Sequence, residues 1–345
     1  AEGWPSMDRY AESLAEALPR IVPRGWHIGM PMPPQPWPGT YGRLLSRLVR
    51  YPPWAARRQG DVNHVLDHSY GHLLLRLDVA RTVITVHDVA PLRFPGRRAG
   101  LSSLAWRLAW QGVRRVRHVV VDSAFIAGEL AALLRAPRER FTVVGAGVAS
   151  RFAPRPPDVV NTVRRRYVRP GQRLLLHVGH TQPRKNLPTL LQALALLRQQ
   201  GLDVVLVQVG GGETRELREL REAGVAYCTG PVPDRELPPL YSAADVFVFP
   251  SFYEGFGLPV LEAMACGTPV VAARAASLPE VVGDAGLLVD PHSPEELAHA
   301  IARVLGDDAL THELRQRGIE RAHEFTWQRA AVRLMDVYER VAAGG

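Results

Sequence analysis

The sequence predicts an α/β fold with two domains, each built on a parallel sheet. The chain has 345 residues, enough for two domains of ordinary size, and 46% of them are hydrophobic. Short apolar runs alternate with helical segments, which is the pattern of strands joined by crossover helices. A proline-rich polar stretch, residues 152–158, predicts a linker. We expect a first domain over residues 1–155, a second over 156–325 and an amphipathic helix over 326–345.

The individual elements are predicted from apolar periodicity and from capping residues. A buried strand ends at His87 and Asp88, and Asp88 is expected to cap a turn. Asp122 and Ser123 precede an apolar helical run, which predicts the N-cap of a helix. The predicted strands cover residues 82–86, 118–121, 141–144, 173–178, 203–209, 225–228, 245–249 and 269–272. The predicted helices cover residues 7–18, 101–117, 124–134, 188–199, 213–223, 234–243, 258–266 and 326–342.

A short basic amphipathic helix is predicted over residues 43–50. Arg43, Arg47 and Arg50 fall on one face at helical spacing, and leucine and valine residues fall towards the other. The Pro52–Pro53 pair is expected to end this helix. Such a helix beside a tryptophan can lie on a membrane surface, and an ordinary solvated surface helix fits the pattern equally well.

Charge is divided unevenly along the chain. Residues 1–158 contain 22 arginines against 12 acidic residues, whereas residues 159–345 carry a net charge of −2. A basic half beside a neutral half indicates that the first half meets an anionic surface. Phospholipid headgroups, a lipid-phosphate carrier and nucleic acid are candidates. Nucleic acid fits least, because the basic segments lack interleaved aromatic residues and a recognised binding fold.

Cysteine usage and hydropathy indicate the compartment. Cys228 and Cys266 lie far apart in apolar surroundings and are expected to be thiols of a reducing compartment. No apolar run reaches the length of about 18 residues that a transmembrane helix needs, and no signal peptide is visible. We therefore expect a cytoplasmic protein that can lie peripherally on the inner face of the plasma membrane.

The most informative segment, residues 250–269, follows an apolar strand and contains a tight turn and a helix. The turn is the glycine-bracketed Gly255-Phe256-Gly257. Glu254 lies in the turn, and Glu262 lies about two helical turns further along. Free N–H groups at a helix start favour an anion, and a carboxylate on each side can bind neutral hydroxyls beside that anion. A sugar nucleotide, with its sugar, diphosphate and ribose, has this layout.

A single lysine stands among the 42 basic residues. Lys185 follows a predicted strand and Gly179, the usual place of a ligand loop in an α/β domain. Its compact ammonium binds phosphate as a point charge, which the planar fork of arginine does not. Lys185 and the neighbouring Arg184 are therefore candidates for binding phosphate, and chance retention of one lysine is the alternative.

These residues resemble the motifs of retaining glycosyltransferases with two facing Rossmann-like domains, the GT-B fold, and in particular of family GT4. The resemblance rests on Glu254 and Glu262 with their seven-residue spacer and on V-G-H-T-Q-P-R-K-N-L at 178–187. T-V-H-D-V-A-P-L-R-F-P at 85–95 and V-D-S-A-F at 121–125 resemble a branch rich in mannosyltransferases. The resemblance covers nearly the whole chain, and we expect the C-terminal helix to cross back to the first domain.

The resemblance implies a role for each site residue. It assigns the donor sugar to Glu254, Gly255, Phe256, Gly257 and Leu258, the ribose to Glu262, the diphosphate to Gly3, Gly179, Arg184 and Lys185, and the nucleobase to Gly230, Pro231 and Val232. His87, Glu254 and Lys185 are implied to be catalytic, with His87 near the reacting sugar.

No metal or cofactor is expected. The sequence has no D-x-D motif for a divalent metal, and the cations of Arg184 and Lys185 with a helix N-terminus could supply the charge instead. His64, His68 and His72 recur every four residues but lack convincing metal-ligand partners.

The chain departs from the resemblance at its start, which lies almost at the expected glycine-rich loop. A first strand of about ten residues is expected to be missing, through truncation or because the sheet lacks it, and its absence would expose the edge of a neighbouring strand.

The expected function is transfer of a hexose from a nucleotide-diphosphate sugar to a lipid-linked or polysaccharide acceptor. GDP-mannose is the first candidate donor and a UDP-sugar the second. A sugar-nucleotide epimerase on a related fold and a catalytically inactive paralogue remain alternatives. A pyridoxal-phosphate-dependent glycan phosphorylase does not fit, because the single lysine lies in the phosphate loop.

Overall fold

The computed structural model describes residues 5–94 and 101–344 and divides the chain into two compact units. Unit 1 comprises Ala1–Gly147 and Trp327–Gly345, and unit 2 comprises Val148–Thr326. The C-terminal helix therefore belongs to unit 1, as the resemblance led us to expect.

Unit 1 contains a parallel sheet whose described strands lie in the order β1-β2-β3-β4. Ser123 caps the helix Ala124–Leu134 by accepting a hydrogen bond from the N–H of Ile126. The elements are α1 (Pro5–Ala17), α2 (Gly39–Leu45), α3 (Tyr51–Ala56), β1 (Asn63–Val65), β2 (Thr82–Val86), α4 (Ala90–Arg93), α5 (Leu101–Arg115), β3 (His118–Val121), α6 (Ala124–Leu134) and β4 (Phe141–Val143).

Unit 2 contains a parallel sheet with the strand order β10-β9-β8-β5-β6-β7. Its elements are α7 (Pro157–Tyr167), β5 (Arg173–Val178), α8 (Leu187–Gln199), β6 (Val204–Val209), α9 (Arg215–Glu222), β7 (Ala226–Cys228), α10 (Leu237–Ala243), β8 (Val246–Phe249), α11 (Leu258–Ala265), β9 (Val270–Ala273), α12 (Leu278–Val282), β10 (Leu287–Val289), α13 (Pro294–Gly306) and α14 (Asp308–His323). The proline-rich segment 152–158 lies at the start of this unit.

The strand order of unit 2 reverses beside β5. The next strand in sequence, β6, pairs with one side of β5, whereas β8 pairs with the other. The loops that follow β5 and β8 therefore leave the sheet in opposite directions. In open α/β sheets, ligands bind in the crevice that forms at such a point, outside the carboxyl ends of the strands.

The last helix, α15 (Trp327–Ala342), packs against α1 in unit 1. The rings of Trp327 and Tyr10 meet edge to face with centroids 5.3 Å apart, and both side chains are buried. Tyr338 lies in hydrogen-bond contact with His64, with its hydroxyl 2.7 Å from Nδ1. The chain therefore completes the first unit with residues from its end.

The region around the Pro52–Pro53 pair differs from the prediction. The prolines do not end a helix: they begin α3, where the missing N–H groups need no partner. Ser46–Arg50 forms a π-helical turn between α2 and α3, and the Ser46 hydroxyl donates to the carbonyl of Gly42, a contact that bends helices. Arg47 does not share an outer face with the other two arginines. It donates to the Ser69 carbonyl at 2.8 Å.

No helix in the described part of the chain is both long and apolar enough to cross a bilayer. Both cysteines are free thiols, Cys266 buried and Cys228 half-buried.

Candidate functional site

The site in unit 2 is centred on Glu254, which lies in the loop after β8. Lys185, from the loop after β5, donates from Nζ to Glu254 Oε1 at 2.6 Å. Arg184 donates from Nη1 to Glu254 Oε2 at 3.2 Å. Burial would raise the pKa of the Glu254 carboxyl, but the charges of Lys185 and Arg184 outweigh burial and hold the pKa below its usual value. The site thus contains a fixed carboxylate beside two fixed cations at the reversal of the strand order.

The backbone of the two loops is joined directly. The N–H of Phe252 donates to the carbonyl of Arg184 at 2.8 Å. Asn186 has left-handed backbone geometry, with φ of 56°, and its side-chain amide donates to the carbonyls of Pro250 and Pro291 at 3.0 and 2.6 Å. Its oxygen accepts from Thr189 at 2.8 Å. These bonds fix the position of Lys185 against the loop that carries Glu254.

Ser277 stabilises the turn that follows Glu254 through its hydroxyl group. The buried Ser277 hydroxyl lies within hydrogen-bond distance of the carbonyls of Glu254 and Phe256, at 2.9 and 2.8 Å. Gly257 then has φ of 112°, and a Cβ there would approach the Leu278 side chain to 2.9 Å. Only glycine adopts this geometry without strain, so the second glycine of the turn is required by the backbone.

The start of α11 offers fewer free amides than a typical helix start. Pro259 has no N–H, and the N–H of Val260 donates to the carbonyl of Gly257 at 2.9 Å. The amides of Gly257 and Leu258 therefore become the candidates for contact with an anion. Proline in the first helical turn also fixes the direction of the helix as it leaves the site.

Glu262 lies within α11 and is buried. The hydroxyl of Tyr241, itself fully buried, donates to Glu262 Oε2 at 2.9 Å. Thr268 in turn donates to the carbonyl of Tyr241 at 2.6 Å. A buried carboxylate with a hydroxyl donor on one oxygen has a fixed orientation, and its remaining acceptor capacity can receive hydroxyl groups of a ligand.

The loops after β5, β6 and β7 lie side by side. The N–H of Gly179 donates to the Val209 carbonyl at 2.8 Å, and its carbonyl accepts from the Gln208 amide at 2.8 Å. The N–H of Gly210 donates to the carbonyl of Gly230 at 3.0 Å. The structure therefore brings Gly230, predicted to meet a nucleobase, beside the loop after β5, which carries Gly179 and Lys185. Gly179 has no side chain, so it leaves space for a ligand in that loop. Its N–H already donates to the Val209 carbonyl.

His177 lies on β5, next to the loop that carries Lys185. Burial lowers its pKa to about 4, so the ring is neutral near pH 7. Its Nδ1 lies 3.0 Å from the carbonyl of Val248, and a carbonyl can only accept, so Nδ1 carries the proton. The neutral ring therefore joins β5 to β8 by a hydrogen bond without adding charge beneath Lys185.

His87 lies in unit 1, at the end of β2, and is 4% exposed. Nδ1 lies 2.7 Å from Asp122 Oδ2, and Nε2 lies 2.8 Å from the carbonyl of Leu66. Burial would lower the pKa of His87, but Asp122 outweighs burial and raises the pKa to about 9. The ring is therefore an imidazolium near neutral pH, and each N–H already has an acceptor within unit 1.

The other predicted residues have simpler outcomes. Asp88 caps a turn by accepting from the N–H of Ala90 at 3.0 Å, as predicted. Gly3 lies outside the described residues. Within residues 5–94 and 101–344, no group of three His, Cys, Asp or Glu side chains is placed to hold a metal ion.

Several residues of the site carry no sequence signal strong enough to single them out. Asn186, Tyr241 and Ser277 hold site residues through their hydrogen bonds, and Asp122, which the sequence marked only as part of a helix N-cap, pairs with His87. The position of Asn186 directly after the only lysine is the one hint. The partners of the others lie 21 to 35 residues away in the chain, so their contacts follow only from the fold.

Two Rossmann-like units, with a carboxylate and two cations at the reversal of one sheet, define a glycosyltransferase of the GT-B class. The description "Glycosyltransferase Family 4" matches residues 7–152, and "Glycosyl transferases group 1" matches residues 172–307. The O-antigen chain mannosyltransferase B of Escherichia coli is 34% identical, over 87% of this chain and 84% of that protein. The MMP alpha-(1->4)-mannosyltransferase of Mycolicibacterium hassiacum is 30% identical, over 98% and 85%. The chain belongs to glycosyltransferase family 4.

Solved structures agree on the fold. Sucrose-phosphate synthase from Thermosynechococcus elongatus superimposes with a TM-score of 0.74 at 24% identity, over 88% of this chain and 79% of that chain. Anabaena Alr3699/HepE, solved in complex with UDP and glucose, superimposes with a TM-score of 0.73 at 22% identity, over 88% and 84%. At these identities the likeness establishes the GT-B fold alone.

Proposed function

We propose that this glycosyltransferase is a retaining, metal-independent mannosyltransferase that moves mannose from GDP-mannose to a lipid-linked or polysaccharide acceptor. The convergence of Lys185 and Arg184 on Glu254 at the reversal of the sheet carries the proposal. The two relatives named above are both mannosyltransferases, which favours mannose as the transferred sugar. A lipid-linked acceptor would bring the enzyme to the cytoplasmic face of a membrane as a peripheral protein.

In the proposed reaction, the bond between sugar C1 and the diphosphate oxygen breaks while the acceptor oxygen bonds to C1 on the same face. Positive charge develops on the sugar, and negative charge develops on the leaving diphosphate. Glu254 stabilises the sugar, and Lys185 and Arg184 stabilise the diphosphate. The acceptor proton passes to the leaving phosphate oxygen, so Glu254 acts through its position and charge and not as a nucleophile.

The remaining contacts of the donor follow the arrangement of the loops. Glu262 accepts from the ribose hydroxyls, and the segment Gly230-Pro231-Val232 meets the nucleobase. The turn from Gly255 to Leu258 meets the sugar and the diphosphate, and Gly179 leaves room for the phosphates. His87 donates to the transferred sugar from Nε2, which requires that it leave the carbonyl of Leu66.

UDP-glucose is the second candidate donor. Anabaena Alr3699/HepE was solved with UDP and glucose, and its fold resembles that of this chain. UDP-glucose remains the second candidate, because at 22% identity the similarity to Alr3699/HepE concerns the fold alone.

The proposal is tested with purified protein, radiolabelled donors and a membrane fraction of the source organism. We expect label from GDP-mannose in the lipid-linked or polysaccharide fraction, an α-linked product by NMR, and unchanged activity in a chelator. Incorporation from UDP-glucose alone would replace the donor, and a β-linked product would refute retention. Loss of activity in chelator, restored by a divalent cation, would refute metal independence. Donor turnover without an acceptor would favour an epimerase.

A further inference from the structure

Exposed apolar side chains are concentrated in one segment of unit 1, before and along α2. Half of the twelve large hydrophobic side chains that are exposed in the described residues lie between positions 30 and 49. We call these the apolar patch: Met30, Met32, Trp37, Tyr41, Leu45 and Val49. Tyr41, Leu45 and Val49 recur every four residues and are 77%, 39% and 59% exposed. The exposed side of α2 and of the turn after it thus carries apolar side chains beside Arg43 and Arg50, where the sequence predicted a face of arginines alone.

The segment before α2 is fastened alongside it. The backbone N–H of Trp37 donates to the Ser46 hydroxyl oxygen at 2.8 Å. Arg50 donates to the carbonyl of Gln35 at 2.6 Å. These two bonds hold the segment that carries Met32 and Trp37 beside the helix that carries Leu45. The exposed side chains of this segment and of the helix therefore belong to one region of unit 1.

The charge around the apolar patch is entirely positive in sequence. Residues 17–60 contain seven arginines and no acidic residue. Helix α5 packs against α2 and lies within residues 89–121, which also contain seven arginines and no acidic residue. Arg43, Arg57 and Arg58 are exposed beside the patch in sequence. Apolar side chains rimmed by arginine fit the boundary between anionic headgroups and acyl chains.

We propose that the apolar patch and these arginines dock unit 1 onto an anionic lipid bilayer, with the patch inserted at the level of the headgroups. A second copy of the chain fits less well, because two such surfaces would bring arginines of like charge together. Nucleic acid also fits less well, because four of the six side chains are aliphatic or thioether groups and only Trp37 and Tyr41 offer a ring on which a base can stack. The inference deepens the proposed function, since a lipid-linked acceptor lies in such a membrane.

The test is co-sedimentation of the full chain with vesicles of phosphatidylcholine, with or without phosphatidylglycerol. No donor or acceptor is present, so failure of docking and failure of the transferase proposal are separate results. We expect binding to the anionic vesicles only, weakened by added salt. With each arginine worth about 1 kcal/mol at an anionic surface, the R43Q/R57Q/R58Q variant should bind at least about tenfold more weakly. L45Q/V49Q should lose about tenfold as well, because it removes the inserted side chains.

Matched variants control for net charge and for apolar content. R165Q/R166Q/R169Q removes three exposed arginines from unit 2, and L133Q/V332Q removes two exposed apolar side chains from unit 1 outside the patch. Both controls should bind like the parent protein, and all variants should keep its melting temperature because every substituted side chain is exposed.

Other results would overturn the proposal. Absence of binding to anionic vesicles, or equal losses in the two arginine variants, would rule out this surface as the docking site. Full binding by L45Q/V49Q would refute insertion. A parent dimer that L45Q/V49Q converts to a monomer would assign the patch to a second copy. Tighter binding to a single-stranded oligonucleotide through the same arginines would assign it to nucleic acid.

Discussion

At the scale of single residues, the site in unit 2 depends on hydrogen bonds that fix two buried carboxyl groups before a ligand arrives. Glu254 is held by Lys185 and Arg184, and Glu262 is held by Tyr241. Charges that are fixed in place need no reorganisation when charge develops during the reaction. In the proposed reaction Lys185 shares its ammonium between Glu254 and a diphosphate, which would link donor affinity to the charge of Glu254.

Asn186 is expected to be the main structural support of the phosphate loop. Asn186→Ala removes two donated hydrogen bonds and places alanine at φ of 56°, so the free energy of unfolding should fall by about 2–4 kcal/mol. Urea denaturation measures the loss. Asn161→Ala, at an exposed position of α7, is the control and should change stability by less than about 0.5 kcal/mol. Equal effects of the two substitutions would show that the amide bonds do not support the loop.

The His87–Asp122 pair predicts a dependence of stability on pH. The folded pKa of His87, about 9, exceeds its ordinary unfolded value, so this contribution is complete below about pH 6.5 and is lost as the pH rises towards 9. The loss should approach about 3 kcal/mol at most. Urea denaturation from pH 6.5 to 9 tests it.

The comparison for that measurement is Asp122→Asn, which keeps an acceptor for Nδ1 but removes the charge. Its stability should change less over the same pH range, whereas Asp88→Asn, a turn-capping control, should behave like the parent protein. If the stability of the parent and of Asp122→Asn depended on pH in the same way, the ion pair between His87 and Asp122 would be refuted.

At the scale of elements, two helices of unit 1 cross so closely that their backbones are in contact. Helix α5 crosses the 3-10 helix His68–Leu75 where Gly112 meets Gly71, and a Cβ on Gly112 would overlap the Gly71 carbonyl. Backbone atoms cannot move aside as a flexible side chain can. The crossing therefore needs glycine at both positions, and it supports the region of unit 1 that carries the apolar patch.

Gly112→Ala should destabilise unit 1 by about 1–3 kcal/mol or more, as overpacking of a tight interior contact does. Gly306→Ala is the matched control, because no atom lies within 4 Å of the added Cβ and the residue ends α13. That control should be neutral or stabilise by up to about 1 kcal/mol through helix propensity. Thermal unfolding distinguishes them, and a stable Gly112→Ala would show that the helices can separate without cost.

Most strands could be predicted from sequence, whereas two strands and several helices could not. Strands β2, β3 and β5 fall where their apolar runs predict them, and so do the three-residue strands β4 and β7. β1 and β10 were not predicted, and they exist through pairing with β2 and β9. Helices α7, α13 and α14 were not predicted either. The Pro52–Pro53 pair was misread as a helix end because proline suits a helix start as well.

The site was predictable only in part. Glycine spacing and the lone lysine indicated Glu254, Glu262 and Lys185, and the fold brings Glu254 and Lys185 into contact. The hydrogen bonds from Asn186, Tyr241 and Ser277 depend on distant segments meeting, which composition and periodicity do not encode. The exposure of apolar side chains on α2 could not be predicted either. Periodicity shows which residues share a helix face, but it does not show whether another element covers that face.

At the scale of the whole molecule, the two units are expected to unfold separately, since each has its own sheet and core. The C-terminal helix belongs to the first unit, where buried Trp327 packs on Tyr10. Trp327→Ala should therefore cost about 3–5 kcal/mol in unit 1 and leave unit 2 unchanged. Calorimetry would show one lowered transition, with the unit 2 transition identified by its shift when nucleotide binds.

Trp37→Ala is the control for that experiment. Its side chain is 44% exposed, so its removal should leave both transitions within about 0.5 kcal/mol. Equal lowering of both transitions by Trp327→Ala would mean that the units do not unfold independently.

The measurement that tests the central claim most directly is calorimetric titration of the protein with GDP, UDP and ADP. We expect GDP to bind most tightly, with an affinity at least about tenfold lower in Lys185→Ala and in Glu262→Gln, because each substitution removes a group that we propose binds the nucleotide. Glu222→Gln, at an exposed position, should bind like the parent, and unliganded melting temperatures report on folding. Absence of binding by any nucleotide, or unchanged affinity in both site variants while they remain folded, would contradict the account.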